Sequence, residues 1–404
     1  MRHFLRTLLA CASVFGLLAS AHVLFRAYGP PPDADDIRSL TRSLEAAIAD
    51  GADREAQALF PEGAFFMHVL TGIAQARSAD PEGLELARQH LRQTRNPEML
   101  ARFGSGMSPE HGIFAAGWSL LLAQEISGRT GDAADLTATA ELANEVGNAL
   151  AQSPTPFLAS YPGQYWPCDT IVAAAALHLA ADRHGNDPAA ARWSAVVDDW
   201  ERQLRDVADP DTQLLPHRTD ATGQPLEGPR GSSQAIIQTF LPEITGTPGG
   251  PAWTLFRDAF VSRQAGLVGI REYPIGESGA GDVDSGPLVL GVSLSASAVA
   301  LAAARRNGDA VLADGLAAEQ EVFGVSTPIP DRHYALGLVP IGEAFIAFAN
   351  SHALTEPVAD APPTTLGRPW WPIFWLPGLL IAAAGAIGLW RLRGPARDRP
   401  TAAA

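Results

Sequence analysis

The 404-residue chain contains no lysine: all 29 basic side chains are arginines, and 44 carboxylates outnumber them to leave a formal charge of −15. Nucleic acid is therefore not an expected partner, because binding it takes a basic face. Cysteine is scarce as well. Cys11 and Cys168 are too few for a disulfide framework, and Cys11 lies in an apolar N-terminal run where it would hardly meet the other. Also missing are His-Glu-x-x-His, Cys-x-x-Cys, an EF-hand loop, a phosphate loop and a Gly-x-Ser-x-Gly elbow. The ten histidines are scattered, and no metal, nicotinamide or nucleotide cofactor is expected. With 18% charged and 47% hydrophobic residues, disorder, collagen and coiled coil are excluded as the main reading, and a sizeable core is within reach.

Two apolar runs stand at the ends. Thr7 to Phe25 follows Arg2 and Arg6, so residues 1–26 read as a signal-anchor or a signal peptide. Ala19-Ser20-Ala21 offers a small-x-small cleavage site, yet the apolar run continues past it through Phe25, as an anchor's would. Residues 370–392 read as a transmembrane helix with Trp370 and Trp390 at its edges, followed by a basic tail, 393–404. Arginine flanks the outer side of both runs. The positive-inside bias then puts both termini in the cytoplasm and the body across the inner membrane, periplasmic or extracytoplasmic, with the bilayer as partner of the terminal helices. Residues 27–367 carry a net charge of −22, which holds such a body off anionic lipid.

Tyr28-Gly29-Pro30-Pro31-Pro32 and the Pro-rich stretch 356–369 bound one domain, residues 27–355. Helical periodicity dominates it. Ile37, Leu40, Leu44 and Ile48 form one stripe that ends at Gly51; Leu136, Ala140, Ala143 and Val146 form another; Trp193, Val196, Val197, Trp200 and Leu204 form a third. About a dozen such segments alternate with Gly/Pro-rich loops, without a run of alternating β-branched residues. The fold class is all-α. A solenoid would show a fixed repeat, and none is found, so the expectation is an (α/α)6 barrel, a toroid of six helical hairpins flanked by the two terminal segments. The loops of such a barrel gather at one end, where chemistry would be placed.

Four segments set titratable residues beside glycine, proline and aromatics. In Gly106-Met107-Ser108-Pro109-Glu110-His111-Gly112, His111 precedes an apolar helix whose dipole favours the neutral imidazole, a base; the plain alternative is a capping loop. In the segment Tyr161 to Thr170, Asp169 or Thr170 would cap the apolar helix Ile171 to Ala180, and Cys168 would sit where backbone amides stabilise a thiolate. Tyr165 and Trp166 there would line a substrate site. The alternative for Cys168 is a buried structural thiol. In Gly228 to Gln234, Arg230 would clamp an anion or pair with an acid. The fourth, densest segment runs from Ile270 through Glu272 and Tyr273 to Gly281-Asp282-Val283-Asp284-Ser285. Asp282 and Asp284 would face one cavity if extended; capping of the next helix is the rival.

Together these landmarks resemble the linalool dehydratase/isomerase family, over roughly residues 106–354. The matching pieces are His111 with Gly117, Cys168 leading an apolar helix, Asp187-Pro188 before a Trp-bearing helix, and Arg271-Glu272 with the glycine/aspartate segment. Further on come Arg305-Arg306-Asn307-Gly308-Asp309, His333-Tyr334 and Gly342-Glu343. The resemblance implies an α/α six-hairpin barrel and cofactor-free hydration, dehydration or isomerisation of a small alcohol. It further implies that His111 and Cys168 are site residues; the family's second active-site cysteine is replaced by Ala159 here. Chemically, Cys168 or Asp169 would protonate a departing hydroxyl, His111 would take the neighbouring proton, and Tyr165, Trp166 and Tyr273 would shield a developing cation. Two other readings stay open. One is a glycan-binding or glycan-cleaving barrel working through pairs drawn from Asp169, Glu272, Asp282 and Asp284; the other is a non-catalytic membrane-anchored scaffold. A homo-oligomer is compatible with all three.

Overall fold

The computed structural model describes residues 2–356, apart from 79, 186, 205, 206, 210, 265, 328 and 329, together with residues 372–392. Trp370, the expected basic tail 393–404 and the linker 356–369 beyond Glu356 lie outside the described residues. The helices in chain order are α1 (Arg2–Tyr28), α2 (Ala34–Asp50), α3 (Ala52–Leu59), α4 (Gly63–Ser78), α5 (Pro81–Thr94) and α6 (Pro97–Leu100). There follow α7 (Ile113–Thr130), α8 (Ala133–Gln152), α9 (Pro167–His184), α10 (Pro188–Leu204), α11 (Gly231–Thr245) and α12 (Pro251–Phe260). The last four are α13 (Leu294–Arg306), α14 (Ala310–Phe323), α15 (Pro340–Asn350) and α16 (Pro372–Leu392).

The chain divides into two units, one made of α1 and α16 and the other beginning at Pro31. His3–Tyr28 and Pro372–Leu392 are each long and apolar enough to cross a membrane. They run antiparallel, as three contacts in reversed order show. Arg6 donates to the Leu392 carbonyl, the Ser13 hydroxyl to the Ala382 carbonyl at 3.2 Å, and the Ser20 hydroxyl to the Trp375 carbonyl at 2.6 Å. Small residues allow this approach: a Cβ on Gly16 would stand 2.4 Å from the Gly378 carbonyl oxygen, the close backbone packing typical of helix pairs in lipid.

In the body, burial sorts the helices into two kinds. Helices α7 and α9 are buried along most of their length, from Ile113 to Ser127 and from Pro167 to Leu177; apolar residues all round leave such helices no solvent face. By contrast α2, α5 and α10 bury one stripe each, that of α10 being Ala190, Trp193, Val197, Trp200 and Leu204. Packing of the buried kind proceeds from α4 to α7, α9, α11, α13 and α15, and α15 packs again on α4. Trp118 on α7 lies at the middle, edge-on to Phe66, Phe240 and Phe348 with ring centroids 5.7–5.8 Å away.

The body is mostly helical, as expected, yet not wholly so. Six short strands occur among the described residues: β1 (Arg218–Thr219), β2 (Pro225–Glu227), β3 (Val261–Gln264), β4 (Leu267–Arg271), β5 (Leu288–Val289) and β6 (Val292–Ser293). The last four form an antiparallel sheet in the order β3-β4-β6-β5. Strands of two to five residues are too short to display an alternating pattern, and β4 buries three consecutive residues, Val268 to Ile270. This sheet delivers Glu272, the residue after β4, and the turn that precedes β5.

Helices α2 to α5 are tied by a buried chain of polar side chains. The imidazoles of His68 and His90 meet Nδ1 to Nδ1 at 2.9 Å, His90 Nε2 is 2.7 Å from Glu45, and His68 Nε2 lies 3.6 Å from Asp53. This corner holds the short link that carries Glu62 into α4. Replacing Trp118 with alanine removes the ring on which three aromatics close, and it should cost about 3–5 kcal/mol, read as a lowered denaturant midpoint of the full chain.

Candidate functional site

Three of the four sequence segments converge, together with one link outside them. Proline at the first position starts α9 at Pro167, with Trp166 in the N-cap place, so neither Asp169 nor Thr170 caps it. Instead the Asp169 amide donates to the Trp166 carbonyl at 3.1 Å, and the Thr170 hydroxyl accepts from the Leu158 amide at 3.2 Å. Cys168 and Asp169 are buried in this first turn. The Cys168 thiol lies 3.8 Å from the Asp169 carboxylate. Contrary to the expected thiolate, burial and the fields of Asp169 and Asp284 push the thiol well above its ordinary range.

Asp169 is the group of this cluster whose carboxyl is brought to neutral pH. Burial, with repulsion from Glu62 and Asp284, raises its carboxyl to about 7, against the Ser160 hydroxyl and Cys168 thiol that favour the anion. Asp284 rises to about 6 through desolvation, the nearby Asp282 and Glu62, although the residue itself is exposed at the rim. Tyr161 donates its hydroxyl to Glu62, and burial, followed by the Glu62, Asp169 and Asp284 charges, pushes its phenol far up. The phenol is thus a donor throughout the physiological range. Its ring rests among Phe103, Phe114 and Trp166, the last edge-on at 5.4 Å. Because Asp169 and Asp284 feel each other, they titrate as a pair.

Beside this cluster stands a second, built on Arg230. Its Nε donates to Glu272 at 2.7 Å, its Nη2 meets Asp282 at 2.5 Å, and its guanidinium lies 5.4 Å from the Tyr273 ring centroid. Of the two expected roles for Arg230, pairing with acids is the one present. Glu272 is fully buried and also accepts from the Ser232 hydroxyl and amide; burial leaves its carboxyl raised. For Asp282, burial is outweighed by the Ser285 amide and Arg230, which hold it below the usual range. Asp282 and Asp284 are not on an extended segment, as expected, but in a turn closed by reciprocal contacts of Asp282 with Ser285. Nor do they cap the next helix: Ser293 caps α13. Tyr273 is held by a bond from its hydroxyl to the Ala280 carbonyl at 2.9 Å.

Two glycines let these segments touch. A Cβ on Gly231 would stand 1.9 Å from the Arg271 carbonyl oxygen, and one on Gly112, at φ 87°, 2.1 Å from that of Ser160. The His111 loop therefore abuts the second segment. His111 itself donates from Nδ1 to the Gly104 carbonyl at 2.6 Å, and no contact to the carboxylates is found among the described residues. Tyr165 is half-buried, its carbonyl accepting from the Thr219 amide at 3.1 Å.

Sequence reasoning missed Glu62 and His217 and gave no role to Tyr161 and Ser233, which lie inside its second and third segments. His217 Nδ1 is hydrogen-bonded to Ser233, whose hydroxyl also favours the Cys168 anion; burial and Arg230 lower the imidazole to about 4. The signal for Glu62 was present. Phe60-Pro61-Glu62-Gly63 has the same mixture of aromatic, proline, acid and glycine that singled out the other segments. Among the described residues, no group of three or more His, Cys, Asp or Glu side chains is arranged to hold a metal ion. No protein-family model matches the sequence, and no curated protein matches it either.

The folded carboxyl of Asp169, near 7, lies above its unfolded value of 3.8. Its contribution to stability is thus complete below pH 3.8 and is lost as the pH rises through 7. Asp169→Asn should stabilise the full chain at pH 8, by at most about 4 kcal/mol, with the gain fading by pH 4. Denaturant unfolding at both pH values reads this directly.

Proposed function

We propose that the body is a cofactor-free acid/base enzyme that adds or removes water at a small alcohol, or isomerises it, and that it is held outside the cytoplasm by α1 and α16. The observation that carries this reading is the carboxyl of Asp169, poised to hold a proton near neutral pH beside Asp284 and the Tyr161–Glu62 pair. The resemblance to the linalool dehydratase/isomerase family agrees with it but shifts its emphasis. Here the proton-transfer roles fall to Asp169 and Asp284 rather than to Cys168 and His111.

In the dehydration direction, Asp169 gives its proton to the substrate hydroxyl as the C–O bond breaks and water leaves. The Asp284 carboxylate takes a proton from the adjacent carbon, whose bonding pair forms the double bond. The faces of Tyr161 and Trp166 offset positive charge at the carbon between these events. Solvent then returns the proton from Asp284 to Asp169. Hydration is the same sequence reversed.

A closed (α/α)6 toroid is part of the proposal. It is supported by the packing order in which α15 meets α4 again after α7, α9, α11 and α13. A periplasmic body with both termini in the cytoplasm is supported by the arginines flanking the outer ends of α1 and α16. One observation favours the glycan reading instead: Asp282 and Asp284 are exposed, so a longer ligand would reach them from the rim.

The test is to incubate the full chain with tertiary and allylic alcohols in 18O-labelled water and, separately, with neutral and acidic oligosaccharides, following products by mass spectrometry. The expected result is 18O incorporation or loss of water, reduced by about 10²–10⁴ in Asp169→Asn and much less in Cys168→Ala. Cleaved sugars would transfer the acids to glycan chemistry; silence in both panels would leave a scaffold. The rate should follow a bell in pH. It falls below about 6 as Asp284 gains a proton and above about 7 as Asp169 loses its own.

A further inference from the structure

The four side chains that tie α2 to α5 leave one place open for a proton. His90 Nε2 stands 2.7 Å from the Glu45 carboxylate, the two imidazoles meet Nδ1 to Nδ1 at 2.9 Å, and His68 Nε2 lies 3.6 Å from Asp53. Both rings are buried. Each of the three contacts needs one proton between its atoms to become a hydrogen bond, and two neutral imidazoles carry only two.

The positions of those two protons follow from the partners. Burial raises Glu45, but the bond and charge of His90 outweigh it and hold the carboxyl below its usual range, so the first proton sits on His90 Nε2. Burial disfavours a second proton on His90, whose Nδ1 therefore accepts. The other proton then sits on His68 Nδ1. His68 Nε2 is left bare, opposite a carboxylate that the nearby imidazole helps to keep ionised. The distances agree, because the first two contacts have hydrogen-bond length and the third does not. Asp53 Oδ1 is likewise buried without a partner among the described residues.

A third proton, on His68 Nε2, would complete the chain and place an imidazolium between two carboxylates. The charged groups that face it are Glu45 from α2, Asp53 and Arg54 from α3, and His90 from α5. Acids on the other helices packed here are engaged elsewhere: Glu125 of α7 by Arg77, and Glu343 of α15 by the Tyr334 amide. Gln75 of α4 is neutral and donates to Glu45 at 2.6 Å.

What Asp53 does is passed on through α3. One turn after it, Gln57 donates to the Pro61 carbonyl at 2.6 Å, and a Cβ on Gly63 would stand 2.1 Å from the Ala56 carbonyl oxygen. The seat of α3 on α4 thus bears directly on the link that presents Glu62 to Tyr161.

We infer that the His68–His90 pair binds a single proton, and that filling this place draws Asp53 and α3 onto α4 and fixes the link that carries Glu62. The pair is a latch set by pH. It does not depend on which reaction the acids of the candidate site perform.

The full chain, labelled with 15N-histidine and held in nanodiscs, is followed by NMR from about pH 8 to about pH 5, the range in which imidazoles titrate. The pair is recognised by the scalar coupling between its two Nδ1 atoms across the shared proton. At the alkaline end His90 carries its proton on Nε2 and His68 on Nδ1. On acidification the two rings take up one proton as a unit, and backbone hydrogen exchange of residues 52–63, corrected for the intrinsic rate, slows by about tenfold. Asp53→Asn sets an amide N–H opposite the bare His68 Nε2 and should hold the slowly exchanging state at every pH, with no uptake. Rings that titrate separately, uptake of no proton or of two, or pH-dependent exchange that persists in Asp53→Asn overturns the proposal. The wild-type spectra decide the first two outcomes even if the variant folds poorly.

Discussion

Arg230 is the constraint on which the candidate site depends. A guanidinium buried to 8% exposure is expensive to desolvate, and only close, hydrogen-bonded acids offset that cost. Glu272 and Asp282 supply them, and in doing so they fasten the start of α11 to the end of β4 and to the turn before β5. That turn carries Asp284. The ion pairs are therefore less a source of net stability than a means of fixing three separate segments in one register. They also decide which acids remain charged: Asp282, paired with Arg230, is pulled down, while Asp284, two residues on, is pushed up.

The second constraint is burial at the start of α9. The helix is apolar on every side because α7, α8, α10 and α11 surround it, and its first turn buries Cys168 and Asp169 with it. A carboxyl placed there loses hydration and keeps its proton, which is the property the proposed chemistry uses. The same burial works against Cys168, whose thiol becomes harder to ionise. One environment thus separates the two residues by role: a carboxyl that exchanges protons near neutrality and a thiol that does not. A carboxyl desolvated in this way costs the fold stability at neutral pH.

Much of the architecture was legible in the chain. The stripes on α2 and α10 emerged as read, since a helix packed on one side repeats its apolar residues with the period of the turn. The clustering of acids with glycine, proline and aromatics found Cys168, Asp169, Arg230, Glu272, Asp282 and Asp284, and those residues do come together. It also picked His111, which is bound to a local carbonyl instead. The short sheet was not legible, because strands of two residues carry no period. Glu62 was passed over although Phe60 to Gly63 has the same composition, and His217 because Leu215 to Arg218, with neither glycine nor acid, does not. Nothing local distinguishes an acid that meets Tyr161 across 99 residues from one that faces water.

What the sequence determined by itself is the class of the molecule: a mostly helical body, two terminal helices apolar enough for a membrane, and a chemistry without lysine and with little scope for thiols. Composition and periodicity suffice for these because each depends on a residue and its near neighbours. Only the tertiary structure decided which acids are pushed toward the protonated form, which pair with Arg230, and which segments meet. Those are properties of desolvation and of charges brought together from distant parts of the chain, and they exist only once the segments are packed.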